Sequence, residues 1–128
     1  MKQNPDSEMA RGRPVDDPTH FTGVVRQELV HEHPESGVRV LMVRFSAGGR
    51  CFWHSHPGGQ VLHVIEGKGR VQSEGSPAVE IGPGDVVVSQ PGEVHWHGAA
   101  PGAELAHLAV SLGKTEWGRE VSAQEAGE

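Results

Sequence analysis

Apolar residues in this chain fall into short runs rich in β-branched side chains, and each run is cut by a cluster of Gly, Pro, Ser or Asp. From Phe21 onward the runs are FTGVVRQELV, GVRVLMVRF, RCFWHSH, QVLHVIEG, GRVQSE, AVEIG, DVVVSQ, VHWHGA and ELAHLAVSL. Between them stand PESG, SAGG, PGG, GKG, EGSP, GPGD, QPGE and APG. Short alternating runs at regular spacing predict an all-β sandwich or barrel. Only the tail after Gly113, KTEWGREVSAQEAGE, is compatible with a helix, and its two glycines count against one. The GKG at 67–69 lacks a third glycine and a following helix, so it reads as a hairpin turn and not as a nucleotide loop. Residues 1–19 are polar, carry three prolines and read as a flexible arm. The expected organisation is that arm, one domain over 20–117, and a C-terminal tail over 118–128.

Composition narrows the function classes. A chain of 128 residues with 35% apolar residues, 18 glycines and 9 prolines builds one domain with a thin core. Its net charge of −6, with no basic run, argues against nucleic acid and anionic membranes as partners. No window approaches the ~18 apolar residues of a membrane span, and the first residues lack a signal-peptide core. The expectation is a cytoplasmic protein. The single cysteine, Cys51, excludes an intramolecular disulfide and a cysteine-based zinc ribbon.

Histidine brings in the chemistry. There are nine, and six lie between positions 54 and 107. On a strand, residues i and i+2 share a face, so His54 and His56 project together while Trp53 and Ser55 point away. The Pro57-Gly58-Gly59 turn returns Gln60 on the next strand; if Gln60 faces inward, so do Leu62 and Val64, with His63 outward. His95 and His97 form a second i, i+2 pair. Catalytic metal sites commonly take three protein ligands and keep a position open. His54, His56 and His95 supply three nitrogens, and Gln60 can add a carbonyl oxygen. Cys51 has the parity of Trp53, so no thiolate is expected on the inner face. Imidazole with hard oxygen suits Mn, Fe, Co, Ni or Zn. His97 reads as a cavity residue beside the ligands, with a ligand role as the alternative. His107, in the apolar run AELAHLAV, is either a core histidine or a general base looking into the same cavity. His31 and His33, among glutamates, read as surface residues. Trp53 and Trp96, each beside a ligand histidine, are expected to be exposed on the outer face as a subunit contact.

These residues resemble a family. Gly48 through Gly67 reads G-x5-H-S-H-x3-Q-x6-G and resembles the first cupin motif, with Gln60 where glutamate is usual. Gly84 through His95 reads G-x5-Q-P-G-x2-H and resembles the second, departing at Gln90 (usually proline) and Ala99 (usually asparagine). With WHSHPGGQ, GRVQ, PGDVV, PGEVHWHGAAP and LAHLAV, the chain is similar to the small single-domain cupins that include bacterial hydroxynitrile lyases. The likeness implies a conical β-barrel of two antiparallel sheets in jelly-roll topology. It also implies one divalent ion per chain, manganese or another, on His54, His56, Gln60 and His95. By position it implies His107 as the base, His97 as a cavity histidine, and Leu41, Val43 and Ser111 as pocket residues. Cupins are commonly dimers, so a homodimer or higher homo-oligomer is expected.

An amide where glutamate is usual leaves the ion's charge un-neutralised, which favours Lewis-acid chemistry over oxygen activation. The resulting expectation is a metal-dependent lyase that cleaves or forms a C–C bond in a small molecule. His107, aided by His97, moves the proton, and Leu41, Val43 and Leu62 form apolar walls for the substrate. Alternatives on the same ligands are a metal-dependent dioxygenase, a polyketide cyclase or isomerase, and a small-molecule binder without turnover.

Overall fold

Turn residues at nearly every break convert the apolar runs into strands. The structure is a computed structural model and describes residues 1–3 and 12–128. In chain order the strands are β1 (Arg13–Pro14), β2 (Phe21–Thr22), β3 (Val25–His33), β4 (Val38–Phe45), β5 (Arg50–Cys51), β6 (His54–Ser55) and β7 (Gln60–Gly67). They continue with β8 (Gly69–Ser73), β9 (Val79–Ile81), β10 (Val86–Ser89), β11 (His95–Ala99), β12 (Leu105–Leu112) and β13 (Glu116–Trp117). All pairings are antiparallel. One sheet runs β1-β3-β4-β12-β7-β10, and the other runs β13-β6-β11-β5-β2 with β8 and β9 joined through β11. The all-β fold expected from the runs is present, and so are the two antiparallel sheets that the cupin resemblance implies.

Glycine decides where the chain changes sheet. The expected single run at 21–30 breaks at Gly23, whose φ of 79° is open to glycine without strain. The break leaves β2 in one sheet and β3 in the other. The expected hairpin at Gly67-Lys68-Gly69 is instead a corner: β7 pairs with β12 and β10, while β8 pairs with β11 and β9. Gly67 has φ 89°, and a Cβ there would overlap the Glu104 carbonyl. Sequence reading missed the corner because a hairpin and a sheet-switching turn use the same residues.

Along β12 the inward residues run from Leu105 in the core, through His107 and Ala109, to Ser111 at the opposite end. The core packs Val25, Val43, Phe45, Leu62, Val64, Ile81, Ala99, Leu105 and Ala109. It closes one end of the barrel and leaves the other for the polar site.

The C-terminal tail settles one open point and corrects one expectation. The tail after Gly113 is not helical: Glu116–Trp117 pairs with β6, and the rest folds back in turns. Trp53 and Trp96 are buried rather than exposed, because Val121 and Ala126 of that tail pack on them with Cys51. Arg50, itself buried, fastens the tail through its guanidinium to Val121 O at 3.2 and 3.3 Å and to Glu128 Oε1 at 3.2 Å. Arg70 Nη1 donates to Ala126 O at 3.0 Å. Of the expected N-terminal arm, residues 4–11 lie outside the described residues, and Arg13–Pro14 pairs with β3. Among the described residues, exposed valine and isoleucine side chains include Val61, Ile65, Val86 and Val88, on the outer face of β7 and β10. No helix among the described residues is long and apolar enough to cross a membrane.

Removing the Val121 methyls should cost about 1.5 kcal/mol, from ~0.8 kcal/mol per buried methylene. Val121→Ala therefore lowers the melting temperature by roughly 5 °C. Val121→Asp places a charge against the rings, releases the tail and shifts tryptophan emission to the red. Emission and melting unchanged in both variants would mean the tail carries no stability.

Candidate metal centre

Two turns bring the ligand strands together. Pro57-Gly58-Gly59 follows His56, and Pro91-Gly92 precedes His95. The His56 carbonyl accepts from Gly59 N at 3.0 Å and from Gly92 N at 2.9 Å, so one oxygen ties both turns. Glu93 fixes the second turn by accepting from Gln90 N at 2.8 Å and from Ser73 Oγ at 2.7 Å. His54 of β6 then lies directly opposite His95 of β11, and Gln60 enters from β7.

Nitrogen atoms of His54, His56 and His95 lie within 4.8 Å of one another, and all three residues are buried. His54 Nδ1 donates to Phe52 O at 2.8 Å, and His95 Nδ1 donates to Glu93 O at 2.9 Å. Each ring therefore keeps its Nε2 lone pair for the site. His56 Nδ1 lies 3.3 Å from Thr115 Oγ1, and its buried Nε2 has no hydrogen-bond partner. Gln60 Oε1 lies 3.0 Å from His95 Nε2, and Gln60 Nε2 donates to Ser111 Oγ at 3.0 Å. With His95 Nδ1 already protonated, two acceptors face each other across 3.0 Å. A cation shared by both removes that conflict, so the donor set fits a divalent ion.

Electrostatics agree. Burial pushes the His54 imidazolium down to about 3 and that of His56 to about 4, with His95 adding to both shifts. His95 is lowered by burial as well. All three are neutral at pH 7, the form that ligates metal.

The site opens into a chamber of about 690 Å³. Leu41, Val43 and Ser111 line it, as do His54, His56, Gln60 and His97. Two expected site residues stand behind the wall. Leu62 is fully buried in the core. His107 is fully buried too, and its Nε2 lies 3.0 Å from His97 Nδ1, so it meets the chamber only through His97. Burial lowers His97 strongly and His107 to about 4.

Cys51 corrects another expectation. Its sulfur lies within 4.8 Å of nitrogens of His54 and His97, a second group with metal-ligand chemistry. The β5–β6 break at Phe52-Trp53 interrupts strand parity, which is why counting residues placed Cys51 outside. The thiol is held by His97, donating to its carbonyl at 3.1 Å and accepting its N–H at 3.3 Å. Burial pushes it up to about 12, so it stays protonated. His31, His33 and His63 are exposed.

Sequence reading missed the chamber mouth. Asp17 Oδ2 lies 2.7 Å from His20 Nδ1. The His20 ring stacks on Trp117 at 4.2 Å, and Trp117 stands 5.0 Å from the His54 ring. The pairing of β13 with β6 that brings Trp117 there has no periodic signal in two residues. Thr115 was missed for the same reason.

A pH dependence follows for chelator-treated protein. Unfolded imidazoles protonate near 6.5, whereas folded His54 stays neutral to about 3 and His56 and His107 to about 4. The unfolded state binds more protons throughout that window, so stability falls as pH drops below 6.5. Melting temperature should be level above about pH 7.5 and decline through pH 5. A level profile down to pH 5 would mean that the imidazoles already carry charge in the fold.

The comparisons with known proteins agree with this geometry. The Cupin domain model matches residues 41–111. The chain is 48% identical over 91 residues to an (R)-mandelonitrile lyase of Granulicella tundricola, covering 70% of each. A solved cupin-like protein of Thermotoga maritima is 42% identical, with a TM-score of 0.85 and 91% of each chain covered. The polyketide cyclase RemF of Streptomyces resistomycificus shares the fold at 19% identity and a TM-score of 0.72, over 98% of this chain and 90% of that one. Motif, barrel and histidine cluster converge: the chain belongs to the cupin family.

Proposed function

We propose that the protein is a metal-dependent lyase that breaks or forms a C–C bond in a cyanohydrin-like carbonyl adduct. The observation that carries this reading is the donor set: three neutral imidazoles and an amide oxygen, with the chamber-facing imidazole of His97 beside them. The 48% identity to a protein named (R)-mandelonitrile lyase supports it. His54, His56, Gln60 and His95 would hold the ion, manganese or another first-row divalent metal. When bound it supplies Lewis acidity, with no ligand carboxylate to neutralise its charge.

The chain's own residues handle the proton. His97 Nε2 is buried and without a hydrogen-bond partner, which supports it as the atom that accepts the adduct's hydroxyl proton. As it does so, His97 Nδ1–H passes its proton to His107 Nε2, 3.0 Å away. The C–C bond breaks, the carbonyl forms, and the leaving carbanion departs with the bonding electrons. The proton then returns through His97 Nε2 to that carbanion, which restores both imidazoles. His107 is therefore a positioning and relay residue, while His97 is the base. Leu41, Val43, Phe45 and Phe21 line the chamber with apolar surface for a small aromatic or aliphatic substrate.

Turnover should need the metal and not oxygen. His97→Ala should keep the ion and lose ~10²-fold or more in rate, with His107→Ala losing less. Gln60→Glu should retain the ion and slow the reaction. A rate assay with and without air, with metal content measured on each variant, checks all three. Strict oxygen dependence would favour a dioxygenase, and equal rates for wild type and His97→Ala would remove the proposed base.

We further propose that a second copy of the chain covers the outer face of β7 and β10. Val86 and Val88, 60% and 58% exposed, stand there beside Val61 and Ile65, and β10 ends its sheet. Contiguous exposed apolar surface of this kind marks association sites. Light scattering should give a homodimer for wild type and a monomer for Val86→Glu/Val88→Glu; a wild-type monomer at micromolar concentration overturns this.

A further inference from the structure

A ligand amide has a second end. Turning Gln60 Oε1 toward the site turns its NH2 group toward the barrel wall, where Gln60 is only 5% exposed. A buried amide N–H without an acceptor weakens the arrangement that leaves it so. The residue opposite Gln60 in the β7–β12 register is Ser111. Its hydroxyl oxygen accepts from Gln60 Nε2 at 3.0 Å, while Gln60 Oε1 stands 3.0 Å from His95 Nε2. Direct cross-strand neighbours on one face have their side chains in reach, so the pairing follows from strand register and not from a chance rotamer.

We infer that Ser111 is a positioning residue whose hydroxyl accepts the Gln60 NH2 and so lets an amide, in place of a carboxylate, serve as a metal ligand. A glutamate at position 60 would not need it, because both carboxylate oxygens can face a cation and neither carries a hydrogen. Gln60 and Ser111 therefore form a matched pair. Although Ser111 lines the chamber, one lone pair of its hydroxyl is engaged by Gln60 Nε2, which ties the residue to the ligand set.

This inference rests on the metal reading above. The full chain, stripped with chelator, is titrated with Mn²⁺ alone and with Zn²⁺ alone by calorimetry. Ser111→Ala should weaken binding by about 10- to 100-fold, the range for loss of a group that orients a ligand. Ser111→Thr, which keeps the hydroxyl, should bind within about threefold of wild type. In a Gln60→Glu background, Ser111→Ala should cost less than about threefold, because no N–H is left unpaired. Circular dichroism of the stripped proteins should show the same fold in every variant. Wild type that takes up neither ion overturns the metal reading and this inference with it. Wild-type uptake with Ser111→Ala unchanged, or equal losses in the wild-type and Gln60→Glu backgrounds, overturns this inference alone.

Discussion

The centre depends on one shared acceptor. The His56 carbonyl receives N–H groups from both Gly59 and Gly92, which are far apart in sequence but adjacent in the barrel. Each glycine has positive φ, 88° and 76°, where a side chain on the L-backbone is strained. At Gly59 a Cβ would also meet Ser89 O at 2.6 Å. With both turns pinned to one oxygen, His56, Gln60 and His95 cannot shift independently. The local strand pairing of His54 with His95 then completes the set.

Around that junction the barrel is divided by polarity. One end is packed with Leu105, Leu62, Val64 and Ile81, and the other presents imidazole and amide groups. Burying so many polar atoms is costly unless each has a partner. The partners here are backbone carbonyls for His54 and His95, a hydroxyl for Gln60 and a second imidazole for His97. Two of the atoms left over, His56 Nε2 and His97 Nε2, belong to residues lining the chamber. Arg44 Nε, Trp53 Nε1 and His107 Nδ1 are also without a partner but belong to residues outside the chamber lining, so ion and substrate would supply partners for the two chamber imidazoles alone.

Much of this was legible in the sequence. Alternation and turn residues gave the strands, and the H-x-H spacing with Gln60 gave the cluster, because both depend on local geometry. What failed depended on long-range pairing. The Gly67–Gly69 corner looked like a hairpin, since only the partners of β7 and β8 distinguish the two. For His107 the sequence left a core histidine and a cavity base both open, because parity gives the face but not what stands in front, and in the structure His97 lies against it. Trp53 and Trp96 looked exposed because nothing in the tail announces that Val121 and Ala126 cover them.

That cover bears on the centre itself. β11 is buried along its whole length: its inner face meets the chamber side, and its outer face lies under the tail. Arg50 draws the tail down with three donor atoms on Val121 O, Gly48 O and Glu128. Gly48 opens the first ligand motif, so the residue that fastens the tail also holds the start of the strand leading to His54. β13 adds the last constraint by pairing Trp117 with His54 and Glu116 with Ser55. A strand pair bearing two ligands would otherwise end at a solvated edge, where local opening is easiest. Covering that edge restricts the motion of His54 and His95, so the tail is part of the scaffold that keeps the imidazoles converged.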